Sequence, residues 1–154
     1  MRYAMVLTGF VLVSVLGACG TSSCLKDVDR NTFAVTLERG ACFGKCPVFV
    51  STVYGDGRVE FDGKANVNRI GIHETKLDDD QRCELVKTVE ESEVLTADFD
   101  KALELPDAPR TRLTVRRGST SRTLEWYVGT PARLKPLVAM IERMAVKNDA
   151  LHPR

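Results

Sequence analysis

The chain has 154 residues, 44% of them apolar and 28% charged, with a formal net charge of +1 at neutral pH. That length suits one hydrophobic core rather than several. The even charge balance gives no electrostatic footprint for nucleic acid or for an anionic lipid surface.

Met1-Arg2 places one positive charge ahead of an apolar run from Ala4 to Val15, interrupted by Thr8, Gly9 and Ser14. About 12 such residues fall short of the roughly 20 that a bilayer core requires. They suit the h-region of a signal peptide. Leu16-Gly17-Ala18-Cys19 follows at its end and resembles the bacterial lipobox. The resemblance implies cleavage before Cys19, a diacylglycerol on its sulfur, and a membrane anchor of more than one acyl chain, since one chain alone holds only marginally. Gly20 stands where an Asp would favour the inner membrane, so the outer membrane is expected, with the domain in the periplasm. The expected division is residues 1–18 as lipoprotein signal peptide, 19–30 as lipidated tether, 31–147 as one domain and 148–154 as a flexible tail. Cleavage would remove only Arg2 among the charged residues. No later apolar stretch is long enough to span a membrane, so a tethered soluble body is expected.

Phe33, Val35 and Leu37 alternate with polar neighbours, the period of a half-buried strand. Val48 to Tyr54 is rich in β-branched and aromatic residues and ends at Gly55-Asp56-Gly57, a strand running into a tight turn. Arg58 to Asp62 returns antiparallel, with Gly63 expected to end it. Val67, Ile70 and Ile72 suggest a fourth, less regular strand reaching Thr75. Asp78-Asp79-Asp80 then has the chemistry of a helix start, where a carboxylate can accept from free backbone N–H groups. Cys83, Leu85, Val86 and Val89 give the buried stripe of a helix over 79–92. Residues 94–109 read as a loop, with Phe99, Leu103 and Leu105 tucked inward. Arg112–Arg117 and Arg122–Val128 form a second hairpin across Gly118-Ser119, and Trp126 is expected in the core. Thr130-Pro131 has the form of a helix cap and first residue. Leu134, Leu137, Val138, Ile141, Met144 and Ala145 carry that helix's apolar face. Pro136 requires either a helix starting there or a kink.

The order is four strands, a helix, two strands and a helix. It implies an α+β fold: an antiparallel sheet of about six strands with two helices packed on one face.

Apart from Cys19, the cysteines are Cys24, Cys42, Cys46 and Cys83. An even number in an exported chain suggests disulfides, and four cysteines allow three pairings. Cys42-Phe43-Gly44-Lys45-Cys46-Pro47 is the one unusual local sequence. Gly44 permits a tight reversal, and Pro47 fixes φ where the next strand begins. The segment resembles the pattern of a bacterial family, domain of unknown function 6438: C-F-G-x-C-P-x-Y/F, a strand, D-G-x-V, then a glycine before an apolar segment. Cys42, Phe43, Gly44, Cys46, Pro47, Phe49, Asp56, Gly57, Val59 and Gly63 fit it, and Asp107-Ala108-Pro109 matches a later Asp-x-Pro. The resemblance spans about Asn31 to Ala145. It implies a fold and an exported setting, and no reaction. This chain is shorter than the pattern between Leu95 and Pro109.

The first reading of Cys42 and Cys46 is a structural disulfide. A thiol-redox loop is a second, with Lys45 lowering a thiol pKa, although such cysteines ordinarily open a helix and here a strand follows. A third is Cu(I), since C-x-x-x-C-P also resembles Sco-type copper chaperones and two thiolates suit Cu(I). That reading needs a distant histidine and a thioredoxin-like framework, and only His73 and His152 exist. Cys24 and Cys83 can pair with each other or stay free. The basic cluster Arg110, Arg112, Arg116, Arg117 and Arg122 is expected to be a solvated strand face. The acidic run 78–80 lacks the spacing of a calcium loop. No nucleophile–base pair, zinc-protease motif or phosphate-cradling loop is present. The chain is therefore expected to be a cell-envelope binding or structural module, without cofactor or metal, that meets the membrane through its lipid and another envelope protein through a sheet face or edge. The alternative is a redox or Cu(I)-handling protein using Cys42 and Cys46.

Overall fold

The computed structural model describes residues 23–26, 28–100, 105 and 108–146. Six strands form one sheet: β1 (Ala34–Arg39), β2 (Val48–Tyr54), β3 (Arg58–Ala65), β4 (Gly71–Lys76), β5 (Thr111–Arg117) and β6 (Thr120–Trp126). They lie in the order β4-β3-β2-β1-β5-β6, every pair antiparallel. Helix α1 (Asp79–Glu91) follows β4, and α2 (Lys135–Val146) follows β6. Class and element order are those implied by the sequence.

The period-two pattern decides which face is covered. Val59, Val53, Val35 and Val115 stand opposite one another across four strands, and Phe61, Ser51, Leu37 and Leu113 form the next row. All eight are buried. Leu85, Val86 and Val89 of α1 and Leu137, Val138, Ile141 and Ala145 of α2 close the same core. The Phe49 and Phe61 rings stack at 5.3 Å between centroids. Each large side chain removed from water contributes roughly 1.5–3 kcal/mol. Arg39 ends the β1 row and ties α2 to the sheet, its Nε donating to Glu142 Oε1 at 3.1 Å and its Nη1 to Thr111 Oγ1 at 2.7 Å.

The other face is polar and half-exposed. Thr52, Thr36, Thr114 and Thr123 stand in register across four adjacent strands. Hydroxyls pair at 3.1 Å between Thr36 and Thr52 and at 2.9 Å between Thr114 and Thr123. Ion pairs flank the row: Arg112 joins Glu38 and Glu125, and Arg58 joins Glu60 and Glu74.

Helix α1 starts as its sequence implies. Asp78 accepts from the Gln81 backbone N–H at 2.8 Å, and the Gln81 side chain accepts from the Asp78 N–H at 3.1 Å. This reciprocal box satisfies two otherwise orphaned donors. Asp79 and Asp80 fill the first turn, where the helix dipole favours negative charge.

Four expectations change. Strand β3 runs past Gly63 to Ala65, with a register shift opposite Val48 and Phe49. Gly63 serves as a point of close approach: an added Cβ would lie 1.9 Å from the Arg69 carbonyl oxygen. The chain from Asn66 therefore folds back onto β3, and the fourth strand is only Gly71–Lys76, shorter than the pattern suggests. Thr130 caps nothing: Ala132–Leu134 form one 3-10 turn and the regular helix begins at Lys135. Pro136 then sits in the first turn, where no N–H is required, and needs no kink. The boundary drawn at residue 31 falls inside packed structure. Cys24 pairs with Cys83 of α1 at a Cα separation of 5.7 Å, Val28 is buried, and Leu25 packs on the core. The expected signal peptide, the first residues of the tether, Leu103 and the tail lie outside the described residues.

Candidate functional site

The strand directions give the sheet two unlike ends. At one end, the chain before β1 is stapled to α1 by Cys24–Cys83, and Phe33 accepts from the Gly55 N–H at 2.8 Å beside the β2–β3 turn. The opposite end holds the β1–β2 and β3–β4 loops, the approach to β5 and the exit from β6. The exposed large apolar side chains among the described residues are Phe43, Ile70, Ile72, Leu105 and Val128. All five belong to this second end.

Cys42 and Cys46 pair there, with Cα atoms 5.8 Å apart. Gly44 adopts φ +137° between them, a value L-residues avoid. Asn66 of the β3–β4 loop donates from Nδ2 to the Cys46 carbonyl at 3.0 Å, fixing the base of the loop to its neighbour. Phe43 stands 93% exposed at its tip, and Lys45 is exposed two residues on.

This geometry accounts for most of the C-F-G-x-C-P…D-G-x-V…G pattern without any chemistry. Phe49 and Val59 are core residues. Asp56 Oδ1 accepts from the Arg58 N–H at 2.9 Å to close the turn. Gly57 has φ +89°, and a Cβ there would meet the Leu77 carbonyl oxygen at 3.0 Å. Gly63 makes the close approach described above. Phe43 is the pattern residue for which the fold has no internal use.

Other candidates scatter. His73 lies on β4, two strands from the cysteine loop, its Nε2 3.1 Å from the Ile70 carbonyl oxygen. His152 lies outside the described residues. Among the described residues, no three His, Cys, Asp or Glu side chains gather as a cation would require. The parallel βαβ framework needed for the copper-chaperone reading is not present in this antiparallel sheet. The arginine cluster divides between the two faces. Arg110 and Arg112 meet Glu38 and Glu125, Arg117 meets Glu90, and Arg122 donates to the Ala97 carbonyl oxygen at 2.6 Å while lying over the Phe99 ring. Trp126 is buried, as expected.

A cleft of about 630 Å³ opens beside the end of β6, an element the sequence did not announce. Phe99, Leu124, Trp126 and Val128 supply its apolar lining, and Asp98 and Asp100 stand on its rim. Arg133, also on the rim, is committed to Glu93. Its lining comes from two separated segments, so no local motif marked it. At its side, burial pushes the Glu125 carboxyl upward, but hydrogen bonds from Tyr127 and Arg112 and the charges of Arg110 and Arg112 outweigh that. The carboxyl sits below the usual range. Arg112 is correspondingly held protonated, first by its hydrogen bond to Glu125 and then by Glu38.

A depressed native pKa stabilises the fold above the unfolded-state value near 4.3 and loses that contribution as pH falls through the native value. Glu125→Gln is therefore expected to flatten the acid limb of stability. Urea midpoints measured from about pH 5 to about pH 3 should fall less in the variant than in the parent. Equal falls would place the acid sensitivity elsewhere.

No curated protein matches the chain at a significant level. The pattern of the domain of unknown function DUF6438 matches residues 33–145, from the residue before β1 to the last turn of α2. With the loop, turn and close-approach residues in the places described, the chain belongs to the DUF6438 family.

Proposed function

We propose that the chain is a cell-envelope lipoprotein anchored through Cys19, and that its domain is a non-enzymatic binding module working through the free edge of β4. The observation that carries this reading is the edge itself. Among the described residues strand β4 pairs only with β3, every residue of it is at least partly exposed, and Ile70 and Ile72 stand 61% and 64% exposed at its start. An unpaired row of N–H and C=O groups beside apolar side chains is a template for a further strand. An extended segment of a partner gains affinity from main-chain hydrogen bonds and specificity from alternate side chains. On the other edge strand, β6, the exposed residues are polar, Thr120, Ser121 and Thr123, with no apolar pair like Ile70 and Ile72.

The position of the staple supports the same reading. Cys24 is five residues from Cys19, a reach of at most roughly 17 Å when extended. A lipid at Cys19 would hold the stapled end close to the membrane and leave the start of β4 facing away. The partner implied is an envelope protein offering an extended, partly apolar segment.

The test uses the full chain in its own membrane, with a photoreactive residue at position 72 and, as control, at Arg116 on the open sheet face. Position 72 is expected to mark one envelope protein, position 116 none, and Ile70→Lys is expected to abolish the product. Acyl labelling should disappear in Cys19→Ser. Absence of a product specific to position 72 would remove the edge-binding reading. A midpoint of Cys42–Cys46 near about −200 mV, rather than below about −300 mV, would transfer the function to the loop, as would Cu(I) uptake abolished by Cys42→Ser.

A further inference from the structure

The β1–β2 loop and the cleft beside β6 are complementary, and we propose that two copies of this chain associate by each inserting its Phe43 loop into the other's cleft. The inference uses neither the β4 edge nor the lipid. It stands on two features of the same end of the sheet.

The first is a prepared knob. A phenyl ring 93% exposed on a mobile loop would be a poor ligand, because ordering it offsets its gain. Here the ordering is built in. Cys42–Cys46 closes the loop, Pro47 follows it, and Asn66 holds the Cys46 carbonyl at 3.0 Å. Lys45 adds one exposed positive charge beside the ring, with no carboxylate partner among the described residues.

The second is a socket of matching chemistry. Phe99, Leu124, Trp126 and Val128 line an apolar hollow large enough for the loop tip. Val128 is 70% exposed with nothing over it among the described residues. Asp98 and Asp100 put two carboxylates on the rim, and neither meets a basic side chain among the described residues. An apolar ring beside a cation thus faces an apolar hollow beside anions. Charge pairing of this kind fixes register and suppresses wrong partners.

Knob and socket lie on neighbouring parts of one end: β1 and β6 are separated only by β5. A two-fold axis through that end can therefore satisfy both contacts at once. The resulting interface is isologous and closes at two copies, without running on into a filament.

The test is sedimentation of the full chain in density-matched detergent across a concentration series, with circular dichroism to confirm folding. A reversible monomer–dimer equilibrium is expected. Phe43→Ala should weaken it at least tenfold without changing the spectrum, since the ring makes no core contact. Lys45→Glu should weaken it several-fold, and Lys45→Glu combined with Asp98→Lys and Asp100→Lys should restore it. A monomer at every concentration overturns the proposal, and so does a dimer indifferent to Phe43→Ala. A dimer that Phe43→Ala weakens but the charge exchange does not restore overturns it too, because the ring would then sit in some other pocket. None of these outcomes bears on the product expected at position 72, so the two readings fail separately.

Discussion

Gly63→Ala is expected to cost about 3 kcal/mol or more, lowering the melting temperature by roughly 10 °C. The reason is local and backbone-bound. A methyl group at this position would lie 1.9 Å from the Arg69 carbonyl oxygen and 2.8 Å from Val67 Cγ2. Neither neighbour can yield cheaply, because the Arg69 carbonyl belongs to the main chain that returns over β3. The loop would have to lift, and with it the Asn66 contact to Cys46 and the start of β4. Gly118→Ala provides the contrast. That glycine has φ +60° in the β5–β6 turn, but nothing lies within 4 Å of its added methyl. Only the left-handed backbone resists there, at about 1–2 kcal/mol. Thermal melts of the two variants should separate clearly. Equal losses would mean that the close approach at Gly63 relaxes freely.

Loss of the Cys24–Cys83 bond is the other change with a large expected effect. The bond closes a loop of 59 residues, and the chain-entropy relation gives about 4 kcal/mol for a loop of that length. For Cys42–Cys46, four residues apart, the same relation gives about 2 kcal/mol. The packing argues in the same direction. Leu25 and Val28 sit on the core beside Phe33 and Leu85, and without the bond only those contacts hold the segment down. Guanidinium unfolding under non-reducing conditions should therefore show Cys24→Ser/Cys83→Ser well below Cys42→Ser/Cys46→Ser. A reversed order would show that the short loop does more for stability than its entropy allows.

The fold was legible where periodicity and turn chemistry agree. Alternation at Val35 and Leu37, at Phe49 to Val53 and at Val59 and Phe61 specified a face as well as a strand, and the acidic run 78–80 specified a helix start. Gly63 misled because a glycine that permits close approach and a glycine that ends a strand look alike in one sequence. Val67 and Ile70 misled differently: both were counted into the fourth strand, which starts only at Gly71, and the exposure of Ile70 and Ile72 follows from edge position, a property of the sheet order. Cys24 looked like part of a tether because polar neighbours surround it, and only Leu25 and Val28 hinted at packing. The cysteine loop was visible at once, yet its use was not. What separates a staple from a presented aromatic is the exposure of Phe43, which depends on what the rest of the chain leaves uncovered. The cleft was invisible because its lining joins Asp98, Phe99, Asp100 and Leu105 to the distant stretch 124–133.

The strand order carries a kinetic consequence. β1 is first in the chain yet lies at the centre of the sheet, between β2 and β5. A chain emerging N-terminus first can pair β1 with β2 at once, whereas Val35 waits for Val115. Until then the middle of the future sheet is a bare edge, and topologies rich in such distant pairings fold slowly. The thiols face the same delay. Cys42 and Cys46, four residues apart, can close their native bond early, whereas Cys24 has no native partner until Cys83 emerges, and until then its nearest thiols are the wrong ones. Were the domain to mature in an oxidising compartment, a bond made too early by Cys24 would have to be undone by disulfide exchange before Cys24–Cys83 could close.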